Sequence, residues 1–203
     1  MNLKKRINNY FSKKSKFSIA SDIVFVALVI ALIFPSSRMY VVSTVQRITL
    51  FQPDVKEEKN APQLPENAYE WKFESLDGDV VSLNEHKGQV IFLNFWGTWC
   101  PPCVAEMPAI QDLYSHFNDK GVAFILVSNE KKSVIKKFLD KNEYSMPSYK
   151  GIYNPPEVLQ TQTLPTTFLI AKDGRIVIRK EGSAKWDGSK VKKKINQLLK
   201  EPV

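Results

Sequence analysis

The chain has 203 residues, of which 43% are hydrophobic and 25% charged, and its formal net charge is +8. This length suits one domain with additional segments, and the composition is typical of a globular protein. Six of the 29 basic residues precede residue 17 with no acidic residue among them, which leaves 23 basic against 21 acidic residues in the rest. Because the body of the chain is nearly neutral, nucleic acid is not expected as a partner.

The first 35 residues have the pattern of a membrane anchor. A basic arm at 1–16 precedes an apolar run at 17–34, FSIASDIVFVALVIALIF. As a helix this run would be about 27 Å long, close to the roughly 30 Å of a bilayer's hydrocarbon core. The basic residues before it predict an N-terminus in the cytoplasm and a domain outside the cytoplasmic membrane, in the periplasm or its equivalent. We therefore expect a single-pass transmembrane signal-anchor at 17–35, in contact with the lipid bilayer. The alternative is a cleaved signal peptide, but no good cleavage site follows the run.

Residues 36–65 are predicted to form an interfacial helix and a linker. Apolar residues recur three apart between positions 39 and 48, which suits a helix at the outer membrane interface or a buried connecting helix. Residues 52–68 contain three prolines, several charges and almost no bulky apolar side chains, a composition typical of a linker. The folded domain is then expected at 66–203.

Strand and helix patterns alternate along this domain. Turn signals at Asp77-Gly78 and Asp173-Gly174 predict two hairpins. Short apolar runs at 89–95 and 122–127 are of the buried-strand type, and amphipathic patterns predict helices, which are expected at 104–117, 131–142 and 191–199. This order predicts an α/β fold with a central mixed β-sheet flanked by helices.

Cys100 and Cys103 are the only cysteines of the sequence and lie in FWGTWCPPCVAEMP at 95–108. A structural zinc site normally needs four ligands, and no second cysteine pair is present. A structural disulfide closing so short a loop would constrain the unfolded chain very little. The pair stands where a predicted buried strand turns into a helix, so a redox function is favoured, with neither a metal nor another cofactor.

The predicted helix start assigns a role to each cysteine. At the N-cap, the sulfur of Cys100 would face the first-turn amides and the positive end of the helix dipole, which makes it the expected nucleophile. Cys103, three residues on, lies on the same side and can resolve a mixed disulfide. Pro101 replaces an amide that is unsatisfied anyway, whereas Pro102 removes one donor to the sulfur. A less stabilised thiolate favours donation of electrons, so a reductant is expected.

From about residue 66 onward the chain resembles the thioredoxin-fold superfamily, and in particular its membrane-anchored TlpA/ResA/DsbE-type branch. The resemblance rests on FWGTWCPPC, on Pro108 in the helix that follows, on LPTTF at 164–168 and on the two hairpins. It implies a thiol-disulfide oxidoreductase with a thioredoxin-like fold. It also implies a cis peptide bond before Pro165, beside which the backbone of Leu164 would pair with an extended substrate segment.

The same resemblance singles out Glu106 as a third catalytic residue. Cytoplasmic thioredoxins have a buried Asp where this chain has Asn94, whereas members of the branch have a Glu three residues after the second cysteine, as Glu106 is here. A buried carboxylate there would raise thiol pKa values or accept a proton from Cys103. The alternative is a first-turn acid that complements the helix dipole.

The resemblance also implies partners. We expect disulfide-bearing exported proteins as clients, for example in cytochrome c maturation, and a membrane thiol electron donor. The alternatives are a disulfide oxidase or isomerase, and a binding or chaperone module that holds extended segments. A thiol peroxidase is disfavoured because the sequence around the cysteines does not supply the Thr and Arg environment of such a site. The expected substrate-binding residues are Trp99, Pro101, Pro102, Leu164 and Pro165.

Overall fold

The computed structural model describes residues 15–33, 35–55 and 61–202. The chain divides into two compact units, Met1–Val42 and Ser43–Val203. The predicted basic arm lies outside the described residues up to position 14, as do residues 56–60 of the predicted linker.

Two helices account for the described N-terminal segment. Helix α1 (Lys16–Ile33) presents bulky apolar side chains at its surface, among them Ile23, Val24 and Phe25. Helix α2 (Pro35–Ile48) begins with a proline, which is favourable at a first helical position because no amide partner is lost there. Within the part of the chain that the structure describes, no helix has the length and apolar character needed to cross a membrane. The signal-anchor at 17–35 therefore remains a prediction.

The second unit is built on a seven-stranded mixed sheet with the strand order β2-β1-β5-β4-β3-β6-β7. Its strands are β1 (Lys72–Ser75), β2 (Val80–Ser82), β3 (Val90–Phe95), β4 (Val122–Ser128), β5 (Ser148–Gly151), β6 (Thr166–Ile170) and β7 (Ile176–Glu181). Its helices are α3 (Pro101–Phe117), α4 (Lys132–Lys141) and α5 (Ser189–Lys200), with 3-10 turns at Glu66–Glu70, Leu83–His86 and Glu157–Leu159.

The pairing confirms the predicted mixed sheet. Strands β3, β4 and β5 are parallel to one another, and the remaining pairs, including both hairpins, are antiparallel. Every residue of β3 and β4 is buried, as expected for central strands covered on both faces.

Side chains alternate between the two faces of β3 and so separate two hydrophobic clusters. Val90 and Phe92 belong to the cluster that contains both cysteines and residues of α3, α4 and α5, which we call the active-site cluster. Ile91 and Leu93 belong to the opposite cluster, where Phe73 of β1 and residues of the 3-10 turns pack. The site therefore shares its core with all three helices of the domain.

Two parts of the fold differ from the sequence patterns. Strand β5 was not predicted, because its residues SYKG are short and mostly polar; it is held by pairing to β1 and β4. The chain also joins the domain ahead of residue 66. Leu64 is buried and its N–H donates to Gly174 O at 2.9 Å, while Ile176 N donates to Pro62 O at 2.8 Å.

Candidate active site

The site begins where β3 turns into α3. Cys100 is the N-cap of α3, with an extended backbone (φ −94°, ψ 104°), and its Sγ accepts a hydrogen bond from Cys103 N at 3.3 Å. Pro101 and Pro102 are half-buried, occupy the first two helical positions and have no N–H to donate. The sulfur therefore has the single first-turn donor, Cys103 N, that the sequence predicts.

Cys100 and Cys103 form a disulfide, with their Cα atoms 5.2 Å apart. Both are buried, whereas Trp99 immediately before them is 62% exposed. The indole of Trp99 lies against Gly97, where a Cβ atom would come within 2.9 Å of its Nε1. The absence of a side chain at Gly97 thus makes room for the exposed ring of Trp99, the residue just before the buried disulfide.

Pairing between β3 and β6 brings a second segment to the same end of the sheet. Phe95, the last residue of β3, is opposite Thr166. The peptide bond between Leu164 and Pro165 is cis, as the resemblance implied. Pro165 is buried and its carbonyl accepts from Gly182 N at 2.8 Å. The cis-proline turn is thereby fixed beside the turn that leads from β3 to the cysteines.

A cavity of about 660 Å³ opens beside this turn and is a candidate for substrate binding. Leu164 lines it, together with aromatic side chains and the ion pair between Arg179 and Glu181, whose atoms are 3.1 Å apart. The guanidinium of Arg179 also lies 5.5 Å from the ring centroid of Phe168. More than half of the residues that line the cavity are polar, so it offers hydrogen-bonding groups beside the apolar surface of Leu164, Trp71 and Phe95.

Glu106 is completely buried in α3 and is held by three donors. Asn94 Nδ2 donates to Oε1 at 2.9 Å, while Ala184 N and Trp186 Nε1 donate to Oε2 at 3.0 and 2.9 Å. Asn94 Nδ2 also donates to Thr167 Oγ1 at 2.8 Å. The burial and the set of donors do not match a surface acid that only complements the helix dipole.

The environment of this carboxyl group sets its protonation. Burial raises the pKa of Glu106 to about 7, and this rise is opposed by the hydrogen bonds from Trp186, Ala184 and Asn94 and by the charge of Lys180. Near neutral pH both protonation states are therefore populated. Glu106 lies three residues after Cys103 on the same buried side of the helix, so it is suited to exchange a proton with that thiol.

The loop before the cysteines has an anchor that the sequence did not reveal. Thr98 N and Thr98 Oγ1 donate to the two carboxylate oxygens of Glu130 at 2.6 and 2.7 Å. Glu130 follows β4 and also accepts from Ser128 Oγ at 3.3 Å. In the sequence, Glu130 is recognisable only as an acidic residue after a predicted strand. That pattern does not indicate which loop its carboxylate binds.

Ala184 and Trp186 were also missed. They lie in the stretch EGSAKWDG, and the only sequence signal there is a tryptophan among small and polar residues. In the structure the Trp186 ring packs edge-on against Phe92 at 5.2 Å.

Among the described residues, no group of three or more His, Cys, Asp or Glu side chains could hold a metal ion.

A disulfide at the start of a helix that follows a buried strand, with a cis-proline turn beside it, defines a thioredoxin-fold dithiol protein. Comparison with known proteins agrees with this class. The family model described as AhpC/TSA matches residues 64–179.

Two relatives share this region. The chain is 31% identical over 173 residues to the thiol-disulfide oxidoreductase ResA of Bacillus cereus, covering 83% of this chain and 95% of that protein. It is 40% identical over 115 residues to ResA of Halalkalibacterium halodurans, covering 55% of this chain and 65% of that protein. The crystal structure of a secreted thiol-disulfide isomerase from Corynebacterium glutamicum has the same fold, with a TM-score of 0.54 at 22% identity, covering 74% of this chain and 98% of that one.

The chain therefore belongs to the AhpC/TSA family and, within it, is a thiol-disulfide oxidoreductase of the ResA type.

Proposed function

We propose that the protein reduces disulfide bonds in exported proteins on the outer side of the cytoplasmic membrane, using Cys100 and Cys103. The observation that carries this proposal is the start of α3, where Cys100 Sγ has one first-turn amide donor and the fully buried Glu106 lies three residues after Cys103. Both features disfavour a thiolate in the reduced protein. A dithiol whose reduced form is not specially stabilised passes its electrons on readily, so the direction is reduction of the client.

The reaction would proceed by two exchanges. The Cys100 thiolate attacks one sulfur of the client disulfide, forming a mixed disulfide and releasing the first client thiolate. Cys103 then loses its proton to Glu106 and attacks Cys100 Sγ, which releases the second client thiolate. Two electrons pass to the client, both client sulfurs take up protons, and the Cys100–Cys103 disulfide remains in the protein.

The surface around the cysteines supports binding of an extended client segment. Leu164 precedes the cis-proline and lines the cavity of about 660 Å³. A strand-like segment paired to the backbone there would gain affinity without a strict sequence requirement. The exposed Trp99 and the half-buried Pro101 and Pro102 would contact the client next to its disulfide.

A reductant is useful on the outer side of the cytoplasmic membrane, because disulfides persist in oxidising compartments. The basic arm and the exposed apolar side chains of α1 support attachment to the bilayer through residues 17–35. After each reaction the disulfide must be reduced again, so a membrane thiol donor is expected. Apocytochrome c is one candidate client, since its haem-binding cysteines must be reduced.

Trapping tests the substrate. With Cys103 changed to Ala in the full-length protein, the second exchange is blocked, so membranes should yield mixed disulfides between Cys100 and exported proteins. The matched control carries Ala at both positions and should trap nothing. Failure of the single variant to trap any exported protein would refute reduction of clients. A chaperone module, in contrast, predicts that Cys100→Ser keeps full activity.

Redox equilibration tests the direction. The full-length protein in detergent, equilibrated with dithiothreitol, should have a reduction potential well below the value of about −120 mV that characterises a strong disulfide oxidant. A potential close to that value would assign the protein to the oxidases instead.

Alkaline extraction and protease protection test the location. We expect the protein to stay in the membrane at high pH and the domain to be digested from the outer side of spheroplasts. Release at high pH with a shortened N-terminus would identify a cleaved signal peptide.

A further inference from the structure

Residues 51–55, which we call the strap, overlap the start of the predicted linker, yet they are bonded to the domain. The carbonyl of Phe51 accepts from Lys185 N at 2.8 Å, and Gln52 Oε1 accepts from Lys190 N at 3.0 Å in the first turn of α5. Pro53 is buried and Val55 packs against the active-site cluster. Residues with these contacts form part of the folded structure and do not act as a free connection.

Gly188 makes room for the strap. It is the N-cap of α5, and its backbone (φ −70°, ψ 154°) is one that any residue adopts. A Cβ atom at this position would nevertheless overlap the side chain of Gln52. An alanine at this position would therefore push the Gln52 side chain away from α5 without straining the backbone.

The strap is bonded to the loop at 182–188, which supplies two of the three donors to Glu106. Ala184 N and Trp186 Nε1 both donate to Glu106 Oε2. Lys185 lies between them in sequence, and its own N–H donates to the carbonyl of Phe51. One hydrogen bond from the strap thus holds the backbone at the midpoint between the two donors.

We propose that the strap is a positioning element for the catalytic carboxyl group: it fixes the 182–188 loop so that Ala184 and Trp186 both donate to Glu106. The proposal rests on the role of Glu106 in the proposed function. It makes the segment between the N-terminal helices and the domain part of the active-site architecture.

The groups around Glu106 determine in which direction its pKa should change when the strap is loosened. Lys180 of β7 lowers the pKa of Glu106, and Lys180 also lines a cavity with Pro53 and Asp54 of the strap. From the loop, Ala184 and Trp186 contribute uncharged donors, as does Asn94 from β3. All of these favour the carboxylate, while burial favours the acid. Loosening the strap weakens two donors, so the pKa of Glu106 should rise.

NMR of the disulfide form provides the test, because the cysteines do not titrate in that state. In the full-length protein labelled with ¹⁵N-tryptophan in micelles, the indole N–H of Trp186 reports the charge on Glu106 through their hydrogen bond. Its chemical shift should titrate with a midpoint near 7. The variant Glu106→Gln identifies the resonance, because it should abolish that titration.

Two variants loosen the strap by breaking its contact with α5 in different ways, and one controls for stability. Gln52→Ala removes the acceptor for Lys190 N, and Gly188→Ala pushes Gln52 out. Each should raise the midpoint by about one pH unit, the scale of a weakened hydrogen bond to a charged group. In the control Gln111→Ala, another glutamine loses its bonds to backbone N–H groups, those of Ser145 and Met146. Its midpoint should stay at the wild-type value.

The proposal would be overturned if the midpoints of Gln52→Ala and Gly188→Ala were equal to that of Gln111→Ala. If one of the two variants does not fold, the other is sufficient for the test. The titration of the Trp186 indole N–H does not depend on enzymatic turnover. The role of the strap and the proposed reductase function can therefore be refuted independently. An inactive reductase with the shifted midpoints would refute the proposed function and leave the strap's role supported.

Discussion

Glu106 has no exposed surface, and a carboxylate at such a position is destabilised relative to the acid. Its pKa of about 7 in the folded protein exceeds the ordinary value of 4.5. The unfolded chain therefore releases this proton at a lower pH than the folded chain does. The stabilisation from the protonated group is fully present below pH 4.5 and is lost as the pH rises through 7.

This sign leads to a prediction for Glu106→Gln. Between pH 4.5 and 7 the free energy of unfolding of the wild type should fall by about 3 kcal/mol more than that of the variant, since 1.36 kcal/mol corresponds to one pH unit. Urea denaturation of the disulfide form across this range measures the difference. The same variant should lower the pKa of the cysteine thiols in the reduced protein. Parallel pH curves for the two proteins would show that Glu106 titrates normally.

Pro102 supports a second prediction at the residue scale. Pro102→Ala restores an N–H at the second position of α3, where it can donate to Cys100 Sγ. The pKa of the Cys100 thiol should fall by about 0.5, in line with the 0.3–1 kcal/mol typical of helix N-terminal charge effects. Thiolate absorbance at 240 nm measures this pKa. Pro101→Ala is the matched control and should leave it unchanged, because the amide at that position does not cap the sulfur.

At the scale of elements, the loop before α3 is hydrogen-bonded to the loop that follows β4. Glu130, after β4, accepts both the N–H and the hydroxyl of Thr98. Charge-assisted hydrogen bonds of this kind contribute about 1.5–3 kcal/mol. They hold the segment that presents Trp99 and Cys100 to a client.

We predict that Glu130→Ala lowers the free energy of unfolding by about 1.5–3 kcal/mol and slows the reaction of reduced Cys100 with an aromatic disulfide reagent. The control is Glu157→Ala, which removes an exposed acid. Urea denaturation and stopped-flow absorbance measure the two effects. A reaction rate equal to that of the control would mean that the loop keeps its geometry without Glu130.

At the scale of the whole molecule, the sheet separates the cluster that contains the cysteines from a second hydrophobic cluster. The active-site cluster lies on one face, and Phe73 is fully buried in the other cluster, where its ring packs edge-on against Trp71 and Tyr149 at 5.2 and 4.7 Å. Since the two clusters lie on opposite faces of the sheet, a cavity at Phe73 should leave the titration of groups on the other face unchanged.

Phe73→Ala tests this separation. It should lower the free energy of unfolding by about 3–5 kcal/mol, the usual result of deleting a buried aromatic ring. The pKa of the Cys100 thiol and the titration of Glu106 should remain those of the wild type. Trp186→Phe is the counterpart on the active-site face: it removes one donor to Glu106 and should raise the pKa of that group. A thiol pKa altered in Phe73→Ala would show that the faces are coupled.

The sequence predicted the parts of the site that depend on neighbours along the chain. The N-cap position of Cys100 and the missing amide of Pro102 follow from four consecutive residues, and the fold class follows from the order of buried strands and helices. Glu130, Ala184 and Trp186 could not be predicted, because each contributes a contact that depends on tertiary packing.

At two places, β5 and the strap, the amino-acid composition did not indicate the structure that forms. The polar residues of β5 are held in a strand by their neighbours in the sheet. The strap resembles a linker, since its contacts are made by one backbone carbonyl, one amide side chain and one buried proline. Hydrophobic patterns do not reveal contacts of these kinds.

The donors to Glu106 have a consequence for the order in which the site comes into being. Ala184 and Trp186 follow Glu106 by 78 and 80 residues, so a growing chain contains both cysteines well before it contains these donors. Until then the carboxyl group lacks two of its three donors. The nascent chain therefore contains both thiols before the hydrogen-bond environment of Glu106 is complete, and that environment forms only when residues 184 and 186 have been added.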